Sequence, residues 1–321
     1  MLTLGNLKNE PTEVFGSRGG AKIWKVNTQS KSYAIKQLSP DLDVNNESIV
    51  SKYELSENIA AEFSRQGVNA VTALHKQNQH LFTFANKGYL VYPWVDGSIL
   101  DRNQVSEFHA TKIAEIIAKL HSNQFSLPNI KPQRFDIHNS TTIKAAIHQS
   151  TKHHCLFART LQDHQDTIIE VNQQYQSIIP VLQEESVMTH GDIDQLNVIW
   201  SDNDKPVLID WESARLMNPT QEIVRCSLSW SGILNNHSNI EIYKKMLQTY
   251  LQYGGKYNSK HTNAALHSVY GSMINWILYN IHSACNSKNS STMDTANNEI
   301  NNTISGLKKL KKLIPILNNV P

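Results

Sequence analysis

The spacing of apolar residues changes near residue 95. Before that point they fall in short runs broken by turn formers. Val14-Phe15 and Ile23-Trp24-Lys25-Val26 flank the glycine-rich stretch Gly16-Ser17-Arg18-Gly19-Gly20, and Tyr33-Ala34-Ile35 follows a turn at Thr28 to Lys31. The pattern predicts three strands joined by turns. Residues 46–66 carry Ile59, Ala60 and Phe63 at helical spacing, so one helix interrupts the strands. Val71 to Leu74 and Leu81 to Phe84 predict further strands, and Gly88 to Gly97 a buried one ending in Asp-Gly.

Past residue 96 helical spacing dominates. Val105 to His121 puts Ile113, Ile116, Ile117 and Leu120 on one face, and Leu161 to Glu184 reads as one long helix. Ser122 to Ser150 reads as loop-rich. Ser227 to Leu234, Ile240 to Tyr253, Ala264 to Ala284 and Asn297 to Leu313 complete the helices, with Pro315 expected to stop the last. Residues 1–95 and 96–321 therefore divide as a strand-rich and a helix-rich part.

The bulk composition narrows the function classes. The chain has 321 residues, enough for two lobes around a sizeable core. Thirty basic and 28 acidic residues leave a formal charge of +2, which gives no case for bulk attraction to nucleic acid or to a membrane surface. No apolar run approaches a membrane span, and the first residues carry acids and a proline where a signal peptide needs an apolar stretch. Cys155, Cys226 and Cys285 are odd in number and far apart, with neither metal-ligand spacing nor a disulfide framework. A reducing, cytoplasmic location is the expectation. His153-His154-Cys155 is read as sequence neighbours that do not converge on one ion.

The chemistry concentrates in Val187 to Glu212. A short apolar run feeds His190-Gly191-Asp192, Asn197-Val198-Ile199-Trp200 reads as a strand, Ser201 to Pro206 is dense in turn formers, and Val207-Leu208-Ile209 ends at Asp210. Such a hairpin brings Asn197 and Asp210 to one end of paired strands, beside the loop carrying Asp192. Mg²⁺ prefers oxygen ligands and is usually held by one or two side chains plus nucleotide phosphates, which Asn197 and Asp210 suit. Asp192 can orient an attacking hydroxyl and accept its proton. Protein kinases place an Asp and an Asn five residues apart in one loop and follow them with a metal-binding Asp. Asp192 and Asn197 share that spacing.

These residues resemble the aminoglycoside phosphotransferase and choline kinase superfamily, whose loop runs HGDxxxxN and whose metal segment is often IDWE. The chain departs from it at Asp194-Gln195-Leu196, where the family often has His-Pro-Gly. The resemblance implies an α+β, bilobal, protein-kinase-like fold with a small antiparallel-sheet N-lobe and a mostly helical C-lobe. It implies an ATP- and Mg²⁺-dependent kinase acting on a small hydroxyl-bearing compound, amino-rich or cationic candidates included. Tyr33-Ala34-Ile35-Lys36 resembles the kinase Val-Ala-Ile-Lys strand, which would set Lys36 on the phosphates. Gly19 and Gly20 would bring backbone amides to the phosphates, although a plain hairpin turn explains them equally well. Glu57, with Glu54 as the alternative, would hold Lys36, on the landmark Gly67-Val68-Asn69-Ala70. The Pro93 carbonyl and the Val95 amide would bind adenine.

The short segment from Asp210 to Glu222, with no Ala-Pro-Glu, speaks against a protein substrate. Asp101, Asp194, Glu212 and Glu222 are the acids available for an amino-rich acceptor, and Trp230, Trp276 and Tyr279 the aromatics for a quaternary ammonium. Choline, ethanolamine and homoserine kinases, and a catalytically silent nucleotide-binding protein, are the competing functions.

Overall fold

The structure, a computed structural model, describes residues 9–14, 20–123, 125–128, 130, 132–234, 239–287 and 289–320. In chain order come β1 (Thr12–Val14), β2 (Lys22–Asn27), β3 (Ser32–Gln37), α1 (Glu47–Arg65), β4 (Phe82–Phe84), β5 (Lys87–Pro93) and β6 (Ser98–Ile99). Then follow α2 (Glu107–Ser122), α3 (Ser140–Lys152), α4 (Ala158–Asp163) and α5 (Gln165–Leu182). Next are β7 (Val187–Thr189), β8 (Val198–Trp200), β9 (Pro206–Leu208) and β10 (Arg215–Met217). The chain closes with α6 (Pro219–Trp230), α7 (Ile240–Gln252), α8 (Thr262–Asn286) and α9 (Ser290–Leu317).

Two compact units emerge, each discontinuous in sequence. The first comprises Met1–Gln104, Ser122–Lys131 and Met188–Arg215; the second comprises Val105–His121, Pro132–Val187 and Leu216–Pro321. The first unit is built on an antiparallel sheet of order β1-β2-β3-β5-β4. Its core sets Leu38 and Leu90 against Tyr53 of α1, with Ala73 and Leu81. Helix α1 starts where the Asn46 side chain accepts the Ser48 amide and ends at Gly67, which takes φ +80° as Val68 N donates to Phe63 O at 2.9 Å. The chain leaving α1 then joins a second small sheet of order β6-β8-β9 through an Ala70–Leu208 bridge. Val71 to Leu74 forms no strand of its own. The Val71 amide bonds Leu208 O at 2.9 Å and the Leu74 amide bonds Val91 O at 2.7 Å, so the segment is shared between two sheets.

In the second unit α8 packs against α3, α5, α6 and α9. Four expectations need correction here. Helix α3 starts inside the expected loop-rich stretch and runs past its end, begun by the Asn139 side chain accepting the Thr142 amide at 2.7 Å. The long helix breaks at His164 into α4 and α5. Helix α6 begins eight residues early because Asn218 caps it and Pro219 occupies its first turn. Pro315 does not stop α9, which runs to Leu317; in the last turn the missing N–H costs a single helical bond. No helix among the described residues is long and apolar enough to cross a membrane.

Candidate active site

The loop carrying Asp192 is fixed from beneath. His190 is fully buried, donates through Nε2 to Ile209 O at 2.9 Å and accepts the Asp192 amide at Nδ1 at 3.3 Å. Its ring lies 4.5 Å from that of Trp211, which stacks 5.5 Å from Phe63 of α1. Gly191 takes φ +77°, and a Cβ there would sit 2.5 Å from Ser213 O. Glycine is required at that point of the His-Gly-Asp loop by both its backbone angle and its surroundings. Asp192 itself faces solvent.

A short 3₁₀ turn, Gln195–Asn197, then carries the chain back. Asn197 Nδ2 donates to Asp192 O at 2.8 Å and to Asp192 Oδ2 at 3.1 Å. The five-residue spacing is the span of this closure. Asp194 caps the turn by accepting the Leu196 amide at 2.9 Å, and burial followed by the Asp192 charge raises its pKa. Asp194 is thus a local capping group.

The hairpin forms as the turn formers dictate, with Val198 opposite Leu208 and Trp200 opposite Pro206. The Ile209 amide donates to Asn197 O at 3.0 Å, which sets Asp210 next to Asn197. Asp210 adopts a left-handed backbone, φ 61° and ψ 64°, a conformation costly for a residue with a Cβ and typical of functional sites. One turn of 3₁₀ helix follows and carries Glu212.

Lys36 reaches this end of the hairpin from β3. Its Nζ lies 3.0 Å from Asp210 Oδ1 and 2.5 Å from Glu212 Oε1. Burial alone would lower its pKa, but the Asp210 and Glu212 carboxylates outweigh burial and hold it above the ordinary lysine value. Tyr53 approaches Glu212 Oε2 at 3.4 Å, and burial, then the Glu212 charge, pushes its phenol up to about 12.

The expected Lys36–Glu57 ion pair is absent among the described residues. Glu57, 1% exposed, accepts from Tyr92 OH at 2.6 Å and from the Ala73 amide at 2.7 Å. Burial pushes its pKa up to about 7, against the pull of these hydrogen bonds and of the Lys36 charge. Glu54, the alternative, accepts the His80 and Leu81 amides, both at 2.8 Å. Each glutamate ties α1 to the sheet region beside it. Glu212 is the lysine's second partner, and its position two residues after Asp210 was the sequence signal for it.

Trp94 N donates to Ser32 O at 3.0 Å, so Pro93, one residue earlier and opposite Tyr33, occupies a non-hydrogen-bonded ladder position. Its carbonyl therefore faces away from β3, as does that of Val91, which accepts the Leu74 amide. Gly20 is exposed with φ +83°, whereas Gly19 lies outside the described residues. The other acids separate clearly. Glu222 is 2% exposed and bonded to His121 at 2.6 Å, which withdraws it from the acceptor candidates, while Asp101 is exposed. Trp230 is buried, and Trp276 stacks on Tyr279 at 5.2 Å.

The donors suit a hard cation. Asp210 offers a carboxylate, and Asn197, whose Nδ2 is committed to Asp192, is left with its amide oxygen. No group of three or more His, Cys, Asp or Glu side chains among the described residues forms an all-protein metal site. Two oxygen donors completed by phosphates is the usual Mg²⁺ arrangement.

The profile of the APH phosphotransferase enzyme family matches residues 52–253. The chain belongs to this family. It is an enzyme, a phosphotransferase with an alcohol group as acceptor. No curated protein matches it. Among solved structures, a spectinomycin phosphotransferase, APH(9)-Ia, in complex with ADP and spectinomycin aligns with TM-score 0.64 at 12% identity over 94% of this chain and 88% of that one. Plasmodium vivax ethanolamine kinase aligns with TM-score 0.59 at 17% identity over 94% and 81%. Choline kinase from Cryptosporidium parvum Iowa II aligns with TM-score 0.59 at 14% identity over 99% and 93%. At such identities the likeness establishes the shared fold: an antiparallel-sheet N-terminal region with a helical C-terminal part, as in the kinase-like proteins.

Proposed function

We propose that the protein is an ATP-dependent small-molecule kinase that moves the γ-phosphate to a substrate hydroxyl with Mg²⁺. The observation that carries this reading is the convergence of Lys36, Asp210 and Glu212 beside the Asn197-tethered Asp192. Asn197 and Asp210 would hold Mg²⁺, which supplies charge neutralisation on the transferring phosphoryl group. Lys36 would leave its carboxylates for the nucleotide phosphates, with the Gly19 and Gly20 amides beside them. Glu57 would act through Tyr92, fixing β5 just ahead of the Pro93 carbonyl and Val95 amide that receive adenine. Asp192, its carboxylate oriented by Asn197, would align the acceptor hydroxyl and take its proton. Most of the rate gain then comes from alignment and charge neutralisation.

The reading carries further proposals. The nucleotide lobe ends near residue 95, the location is cytoplasmic, and nucleic acid and membranes are not partners. The structural relatives' own substrates, spectinomycin, ethanolamine and choline, define the acceptor classes to try first. Exposed Asp101 and the half-buried Glu212 favour a cationic or amino-rich compound.

ATP consumption with Mg²⁺ across aminoglycosides, spectinomycin, choline, ethanolamine, homoserine and aminosugars tests this, with Asp192→Ala as control. Stimulation by one class, abolished in the variant, is the expected result. Stimulation that survives in the variant removes Asp192 from its role. ATP and Mg²⁺ binding with no stimulation by any compound favours the silent nucleotide-binding protein.

A further inference from the structure

Cys155 and Cys285 are 130 positions apart in sequence, yet their Sγ atoms lie 3.9 Å apart in the second unit. Both are free thiols. Cys155 sits in the turn between α3 and α4, next to His154, whose φ is +51°. Cys285 sits in the last turn of α8. The pair thus joins a connecting turn to a helix end, where small backbone adjustments are least costly. A cavity of about 210 Å³, bordered by Cys155, Phe157, Ala284 and Met293, lies beside Cys155. It gives the Cys155 side chain room to turn as the remaining gap closes to a bonding distance of about 2 Å.

We infer that Cys155 and Cys285 form a dithiol that closes to a disulfide on exposure to a low-molecular-weight disulfide, stapling the α3–α4 turn to the end of α8. The half-buried Cys285 is the accessible member, since Cys155 is 6% exposed. Its thiolate attacks one sulfur of the reagent disulfide, giving a mixed disulfide and releasing one reagent thiolate. The Cys155 thiolate then attacks the Cys285 sulfur, forming the Cys155–Cys285 bond and expelling the second reagent thiolate. The two cysteine protons end on the two released thiols. The protein gives up two electrons and the reagent disulfide takes them. Burial, followed by the Cys155 thiol, pushes Cys285 up to about 11, so the first step is slow at neutral pH. Closing a loop of this length restricts the unfolded chain strongly and should stabilise the folded protein.

The test is incubation of the full chain with oxidised glutathione, then denaturation, alkylation and intact-mass and peptide analysis. Loss of two alkylatable thiols, no retained glutathione and a peptide linking Cys155 to Cys285 are expected, with Cys226 still alkylated. Cys155→Ser should instead trap glutathione on Cys285. The wild-type protein supplies a readout that needs no variant: the oxidised form should melt several degrees higher than the reduced form and return on reduction. A stable glutathione adduct on the wild type, a linkage through Cys226, unreacted thiols throughout, or a lower melting temperature after oxidation would each overturn the inference.

Discussion

Two clusters in this molecule set a basic side chain between oxygen-bearing partners, and they differ in how far each is closed. Lys36 holds Asp210 and Glu212 with side-chain exposures of 10%, 36% and 26%. His121 bonds Tyr250 OH and Glu222, each at 2.6 Å, with both His121 and Glu222 almost fully buried. The first cluster pairs one cation with two carboxylates and is open to solvent. It retains unspent negative charge, because two carboxylates face one ammonium. The second is sealed, and a sealed polar network gives stability rather than chemistry. Ionisable side chains alone do not distinguish them; access and unspent hydrogen-bonding capacity do.

Deleting one carboxylate near each cluster should separate the two most strongly. Asp192→Ala should lower kcat about 10³-fold, the scale of a lost general base, while nucleotide binding and melting temperature stay put. Steady-state kinetics with a calorimetric melt checks both halves. Glu222→Ala should do the reverse. Leaving the buried His121 nitrogen without its partner should cost about 3 kcal/mol of stability, with turnover per folded molecule unchanged. Lost turnover in folded Glu222→Ala would show that the sealed cluster takes part in catalysis.

Glu57 stands between the two types, being buried like Glu222 yet close enough to feel the Lys36 charge. Its folded pKa of about 7 lies above its ordinary value of 4.5. The folded protein therefore binds more protons than the unfolded chain between those values, and stability falls as pH rises through that window. Above about pH 7 the full cost is present, on the order of 3 kcal/mol. Glu57→Gln mimics the protonated acid, so its stability should be nearly flat between about pH 5 and pH 8 where the wild type declines. Denaturant melts at the two pH values decide it; an equal slope in the variant would mean that another group titrates.

What was legible in the sequence follows the range of the interactions. The placement of Asp192, Asn197 and Asp210 side by side could be read because their geometry is local: a turn closed by the asparagine and a two-strand hairpin. Helix α1 announced itself by its apolar face of Ile59, Ala60 and Phe63. Helix α3 did not, because its Ser-Thr-Thr start resembles a loop until Asn139 is seen to cap it. The partners of Lys36 lie 174 and 176 residues away, and Glu57 faces the same sheet but is taken by Tyr92. The nearness of Cys155 to Cys285 likewise exists only after the helices pack.

The smallest predicted effect bears most directly on the open cluster. If Glu212 holds Lys36 only while the nucleotide is absent, it competes with the phosphates for one ammonium. Removing its charge in Glu212→Gln should then tighten metal-free nucleotide binding about threefold, the scale of a partly exposed ion pair. Stability should change by less than about 1 kcal/mol, because Asp210 still neutralises Lys36. With Mg²⁺ present the gain should vanish or reverse if the Glu212 carboxylate also faces the metal. Titrations of ADP with and without Mg²⁺ separate these outcomes. Weaker metal-free binding in the variant would mean that Glu212 positions Lys36 for the phosphates rather than competing with them, and the cluster would then be a prebuilt phosphate seat instead of a resting state that nucleotide must open.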